Sequence, residues 1–339
     1  MPPVPGSLDV EAVRRILHHM DVVPDPDELS AGMLTAVGDG VNDVLVVDAP
    51  SGEFERFVLK VGTFSRTEHL RAGVAAAHAL RAYTTLPVPA VLAFDPGSDD
   101  RPPAVATTYC DGTPLASGFD DVPNLTDPAR VSLLGAVVRE FAAIPPDAAT
   151  GYGNVVREAG TEDRPRLVGE TESFDEWLHS YATKHFESPA PHPALERVAP
   201  DALAFVDANR RRVPAEPTPS VLVTDLSPGN LLAPGGEPPA TVDGLAGVVD
   251  LERAKVGPVA FTATNLEYLL TAGVDDPTPV QRALYEQLPF DHDHALHDVY
   301  RLAAVSRAVS GLDTWEDPDN DRFDRRARAV AREVEAIVD

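Results

Sequence analysis

The chain has 339 residues, 43% hydrophobic and 24% charged, which is enough apolar material for a sizeable core and enough length for two lobes. Its 54 Asp and Glu against 28 Lys and Arg leave a formal charge of −26, which repels phosphate backbones and anionic headgroups; nucleic acid or a membrane as main partner is not expected. The cations are nearly all Arg, the lysines being Lys60, Lys184 and Lys255, a composition suited to a salt-adapted cytoplasm.

Cys110 is the only cysteine, so neither an intrachain disulfide nor a cysteine-based zinc site is expected. No cationic-then-apolar leader is visible at the start, and the most apolar stretch, 74–94, is interrupted by His78, Arg81, Pro87 and Pro89. A soluble, cytoplasmic protein is the expectation.

Residues 8–19 carry Val10, Val13, Ile16 and Leu17 at helical spacing and stop at a Pro-rich turn. The β-rich runs 42–47 and 54–61 read as a hairpin. Ser65 and Glu68 have capping-box spacing and open an Ala-rich helix that runs to about Tyr83. Strands are expected over 90–94 and 104–109. The texture then turns helical, with a helix over 131–144 and another, behind a second capping box at Ser173 and Glu176, around Trp177. Between them 148–168 reads as Gly- and charge-rich loop. Short apolar strands at 220–223 and 245–249 interrupt the helical half, and the tail 299–337 is helical with a break at 317–320. The expected class is α+β: a small antiparallel β-sheet lobe over 1–109 and a larger, mainly helical lobe over 110–339.

Asp225 and Asn230 follow the strand 220–223 in the D-L-x-x-x-N spacing of a kinase catalytic loop. That chemistry needs an Asp to orient or deprotonate a substrate hydroxyl and an Asn to offer Mg²⁺ a neutral oxygen. An ordinary turn would use the same residue types. Further on, a short strand ends at Asp250, where a kinase keeps its metal-binding Asp; a helix N-cap is the plain alternative. Lys60 lies in an apolar strand that resembles V-A-I-K, whose ammonium holds phosphates; a snorkelling edge-strand Lys is the alternative. Gly38, Asp39, Gly40, Val41 and Asn42 form a turn that could cover phosphates. His292, His294 and His297, with Asp291, Asp293 and Asp298, read as a solvated acidic helix start rather than a metal site. Neither a G-x-S-x-G elbow nor H-E-x-x-H is present.

Together these pieces resemble the aminoglycoside phosphotransferase and choline kinase family, which has a protein-kinase-like fold. Residues 223–232 are similar to its H-G-D-x-x-x-x-N-x-L signature and 248–252 to its I-D-[WF]-E segment. Residues 86–91 are similar to the P-V-P turn before its third lobe strand, and 109–115 to its hinge. The resemblance implies ATP- and Mg²⁺-dependent phosphoryl transfer to a small-molecule hydroxyl. Asp225 would be the catalytic base, Asn230 and Asp250 metal ligands, and Lys60 the α/β-phosphate contact, with Asn42 and Tyr109 lining the nucleotide site. Several supporting residues depart from the pattern. Val223 and Thr224 replace His-Gly, Gly73 stands where a helix Glu would pair with the Lys, Thr262 replaces a supporting Asp, and 140–143 lacks a terminal His. The intact trio Asp225, Asn230 and Asp250 favours an enzyme of low activity. The missing supports favour the alternative, a nucleotide-binding pseudokinase with a regulatory or scaffold role.

Overall fold

In β3 (Arg56–Val61), Phe57, Leu59 and Val61 are fully buried while Val58 and Lys60 are half-buried, the period of two expected of a strand with unlike faces. The apolar face joins Leu45 and Val47 of β2 (Asp43–Asp48) in packing on Val13, Ile16 and Leu17 of α1 (Val10–Met20). Lys60 therefore leaves the sheet on the side away from α1. With β1 (Leu34–Ala36), β4 (Val91–Asp95) and β5 (Ala104–Thr108), the antiparallel order is β1-β2-β3-β5-β4. The structure, a computed structural model, describes residues 8–37, 42–49, 53–63, 65–116, 126–161, 163–272, 274–292 and 294–339. The expected phosphate-covering residues Gly38, Asp39, Gly40 and Val41 lie outside the described residues.

After β3 the chain forms α2 (Thr67–Tyr83), as its Ala-rich composition predicts, but Ser65 does not cap it: Arg66 is the N-cap and no side chain caps it. Ala72, Ala75, Ala76, Ala79 and Leu80 of α2 share one core with Leu134, Val137 and Phe141 of α3 (Pro128–Phe141), so small side chains join the sheet lobe to the helical lobe.

The expectation of a loop over 148–168 is corrected. β7 (Ala149–Thr150) leads into a long hairpin, β8 (Tyr152–Thr161) and β9 (Arg164–Thr171). Its glycines mark irregularities in a strand rather than a loop: Gly153 has φ +84°, next to register shifts in the β8–β9 ladder, and a Cβ there would strike the Trp177 ring. The hairpin lies along α2, where His78 Nδ1 pairs with Glu158 Oε2 at 2.8 Å and Tyr83 donates its hydroxyl to the Pro165 carbonyl at 3.1 Å.

β10 (Ser220–Leu222) and β13 (Lys255–Gly257) extend this sheet in the order β10-β13-β8-β9-β7. A smaller sheet runs β12 (Gly247–Val248), β11 (Leu231–Ala233), β6 (Thr113–Pro114). The remaining helices are α4 (Phe174–Phe186), α5 (Pro193–Asn209), α6 (Val259–Thr271), α7 (Thr278–Tyr285), α8 (His297–Trp315) and α9 (Asp321–Val338). The break expected at 317–320 separates the last two. No helix among the described residues is long and apolar enough to cross a membrane.

Glu267 on α6 ties α7 and α8 to the lobe. Its side chain is 0% exposed and accepts hydrogen bonds from Gln281 Nε2, Tyr285 Oη and Arg301 Nη1, and pairs with His297 Nε2 at 2.7 Å. Burial disfavours its charge, but the His297 hydrogen bond and the Arg301 and His297 charges outweigh it and bring the pKa down to about 2, from 4.5. His297 and His294, which bonds Thr264 Oγ1, are thus packing residues, not the solvated face expected. The unfolded chain takes up a proton that native Glu267 refuses, so its contribution to stability is complete above about pH 4.5 and lost as pH falls toward 2. Glu267→Gln should cost about 3–5 kcal/mol at pH 7 in denaturant titrations and flatten the loss of stability over that acid range.

Candidate active site

β-pairing assembles the expected residues from distant segments. β11 pairs with β12 through Leu231 and Val248, and Val249 N donates to Asn230 O at 2.9 Å, so Asp250 emerges beside Asn230. Asn230 Nδ2 donates to the Asp225 carbonyl at 2.8 Å and closes the loop that carries Asp225. Across the lobes, Lys60 Nζ lies 2.7 Å from Asp250 Oδ1 and 2.9 Å from Glu252 Oε2. Burial opposes the Lys60 charge, yet the two carboxylates prevail and raise its pKa. Asp250 has φ +61°, the left-handed region that a non-glycine residue seldom adopts and that clusters at functional sites.

Asn42 joins that core through Glu252, whereas Tyr109 lies further off. Asn42 is buried: its Nδ2 donates to Ser65 Oγ at 2.9 Å and Glu252 Oε2 at 3.1 Å, and its Oδ1 accepts from Ser65 N. Its amide thus links Ser65 to Glu252, the carboxylate that meets Lys60. Tyr109 follows β5, whose Val105 pairs with Lys60, which puts it about 13 Å further along the strand direction. The Arg56 guanidinium covers its ring, 5.3 Å from the centroid.

Glu252 fills the role left empty by Gly73. A Cβ on Gly73 would approach Glu252 Cα and N at 3.1 Å, so the turn after Asp250 occupies the space a helix glutamate would need, and the turn brings its own carboxylate to Lys60. Arg253 N donates to His69 O at 3.2 Å and pins the turn to α2. Ser65, expected as a cap, instead donates to Glu252 Oε1 at 3.0 Å. The missing Asp at Thr262 is answered one helical turn later, where Asn265 Nδ2 donates to the Thr224 carbonyl at 2.7 Å.

Sequence reasoning missed the cations around Asp225. Arg307, from α8, contacts Asp225 Oδ1 through Nη1 at 2.5 Å. Lys255 pairs in register with Leu222, which sets its buried ammonium under the loop, 3.3 Å from Thr224 Oγ1 and 2.9 Å from the Arg253 carbonyl. The scarcity of lysine was the available signal, since two of the three lysines flank this site; nothing marked Arg307 among so many arginines. Burial works against ionised Asp225, but Arg307, Lys255 and Arg253 overcome it and lower its pKa. For Lys255, burial and the neighbouring arginines bring the pKa down to about 8.

The comparisons agree with this architecture. The model of the phosphotransferase enzyme family matches residues 34–294. The chain belongs to that family. A search of curated proteins gave no match. Among solved structures, aminoglycoside phosphotransferase APH(4)-Ia is similar, with 15% identity over 97% of this chain and 98% of the other at a TM-score of 0.66. A thermostable mutant of it in ternary complex with AMP-PNP and hygromycin B gives 15% identity, 96% and 97% coverage and a TM-score of 0.65. A choline/ethanolamine kinase family protein from Mesorhizobium loti gives 16% identity, 96% and 94% coverage and a TM-score of 0.57. The fold is the two-lobed, protein-kinase-like α+β fold of these phosphotransferases.

The cations leave a mark on two histidines. Burial is the main cause that lowers His69 to about 4, helped by Arg253 and Lys255; burial, Arg307, Lys184 and Lys255 do the same to His185. Both imidazoles should therefore be neutral from pH 5 to 8. Lys255→Met should raise both pKa values, read from the pH dependence of imidazole NMR shifts; unmoved titrations would contradict the charge arrangement described.

Proposed function

We propose that this family member is an ATP- and Mg²⁺-dependent phosphotransferase acting on a hydroxyl of a small molecule, in the cytoplasm. Residues 1–109 form its nucleotide lobe and 110–339 its acceptor lobe. The observation that carries this reading is the Lys60–Asp250 ion pair, a phosphate-type ammonium set against a metal-type carboxylate, with Asn230 and Asp225 hydrogen-bonded in sequence beside it.

Lys60 would hold the α/β-phosphates, and the chain around Tyr109 the adenine. The donors present suit Mg²⁺. Asp250 is 41% exposed, and because Asn230 turns its amide nitrogen to Asp225, its oxygen is directed elsewhere; both offer hard oxygen ligands. A Mg²⁺ ion held by these two residues would complete its shell with phosphate oxygens and water. Such an ion neutralises phosphate charge. Asp225 would orient the acceptor hydroxyl and take its proton as the hydroxyl oxygen bonds the γ-phosphorus and the bond to ADP breaks. Phosphoryl transfer asks mainly for positioning, so a carboxylate of lowered pKa serves. The supports from Glu252 and Asn265 favour this reading over the pseudokinase.

Asp225→Asn should cut transfer by about 10²–10⁴-fold and leave Mg-ATP affinity near wild type, whereas Asp250→Asn should lower both. Lys60→Ala should weaken ATP binding by about 1.5–3 kcal/mol. Calorimetry with AMP-PNP and ADP release over a panel of alcohols would measure these. Unchanged transfer in Asp225→Asn would end the assignment; tight nucleotide binding with no transfer to any alcohol would favour the pseudokinase.

A further inference from the structure

The loop around Asp225 is held at its backbone from two sides and at its carboxylate from one. The Thr224 carbonyl accepts from Asn265 Nδ2 and the Asp225 carbonyl from Asn230 Nδ2, which fixes the peptide planes. The side chain still turns about two torsions. Among the described residues Arg307 alone hydrogen-bonds it, through Nη1 to Oδ1 at 2.5 Å. Oδ2 takes no hydrogen bond among the described residues, and the side chain is 40% exposed, so that oxygen is open to a group arriving from outside.

The helix that delivers Arg307 has little freedom to shift. α8 packs against both α4 and α6. Six residues before Arg307, about 9 Å along the helix axis, Arg301 donates to Glu267 Oε1 at 2.7 Å and to Thr271 Oγ1 at 3.0 Å on α6. One turn after it, Ser310 Oγ lies 2.7 Å from His185 Nδ1 on α4. The Arg307 side chain is mostly sheltered, and its Nη1 also reaches Thr224 Oγ1 at 3.4 Å, an oxygen that Lys255 contacts at 3.3 Å. Arg307 lies beyond residues 34–294, the stretch that matches the family model. The helical tail thus reaches back into the loop that carries Asp225.

We infer that Arg307 is a positioning residue for phosphoryl transfer: by holding Oδ1 it orients the Asp225 carboxylate so that Oδ2 receives the proton of the acceptor hydroxyl. The hydroxyl oxygen bonds the γ-phosphorus, the bond to ADP breaks, and the proton stays on Oδ2 until solvent takes it up. Arg307 touches no reacting atom and acts through Asp225. This role deepens the phosphotransferase reading of the site and rests on it. A cation that instead tied up the base and had to let go would change the rate with the opposite sign.

The test measures ADP release from Mg-ATP by the full-length protein at pH 8, well above the usual carboxylate range, with glycerol, glucose, ethanolamine, hygromycin B or water alone as acceptor. Arg307→Gln should lower kcat about 10–100-fold, while KM for ATP and calorimetric affinity for Mg-AMP-PNP stay within about twofold of wild type. Arg307→Lys, which keeps a charged donor, should recover part of the loss. In the Asp225→Asn background Arg307→Gln should change the rate by no more than about twofold, because no carboxylate is left to orient. The double variant removes both charges at once, so its equality with Asp225→Asn carries the test if Arg307→Gln alone does not fold. An unchanged or raised kcat in Arg307→Gln, a loss confined to KM or to thermal stability, no recovery in Arg307→Lys, or a full further loss in the Asp225→Asn background would overturn the inference and leave the phosphotransferase standing. A wild type that releases no ADP with any of these acceptors would overturn the phosphotransferase, and the role of Arg307 with it.

Discussion

The carboxylate of Glu252 is the contact on which the site depends. It receives Lys60 from the sheet, Asn42 from the entry to β2 and Ser65 from the entry to α2, while its own backbone lies against Gly73. One side chain from the helical lobe thus fixes three points of the other lobe. The contact is mostly sheltered, with Lys60 19% and Glu252 14% exposed, so salt screens it far less than it screens the surface charges of so acidic a chain. Removing the carboxylate would leave the Ser65 hydroxyl without its acceptor and reduce the Lys60 ammonium to Asp250 and the Asn42 amide to Ser65, which is how a buried network amplifies a single change.

A second constraint is electrostatic. The chain carries a net charge of −26, but the loop that holds Asp225 sits on a buried lysine and beside an arginine. The cations around Asp225 thus stand within a molecule of opposite net sign. The net charge sets the repulsion between the whole molecule and other anions at long range. The local cations favour the ionised form of Asp225, since Arg307, Lys255 and Arg253 lower its pKa.

Much of this was legible in the residues. Strand alternation placed Lys60, and D-L-x-x-x-N followed by a strand ending in Asp located the loops, because local turn chemistry and short-range pairing leave traces in spacing. What stayed hidden was long-range. That Gly73 marks a close approach rather than a vacancy depends on a turn far along the chain. Asn265 replaces a support one helical turn from where the pattern expects it, a shift invisible without the helix axis. Ser65 has capping-box spacing, yet a buried carboxylate outcompetes the helix terminus for its hydroxyl. The hairpin β8–β9 was read as loop because its glycines, needed where the ladder is irregular, have the same composition as a flexible segment.

That hairpin has a consequence for control. Protein kinases are commonly switched by moving the helix that carries the lysine's glutamate partner. Here the equivalent helix, α2, carries no such partner and is held along its length by β8 and β9 through His78 and Tyr83, and at its start by the turn at Arg253. To swing it outward would tear a hairpin from its core, and would gain nothing, since the carboxylate that meets Lys60 belongs to the other lobe. A regulator that displaced this helix would find on it no side chain whose loss frees Lys60, because both carboxylates that hold the ammonium follow β12.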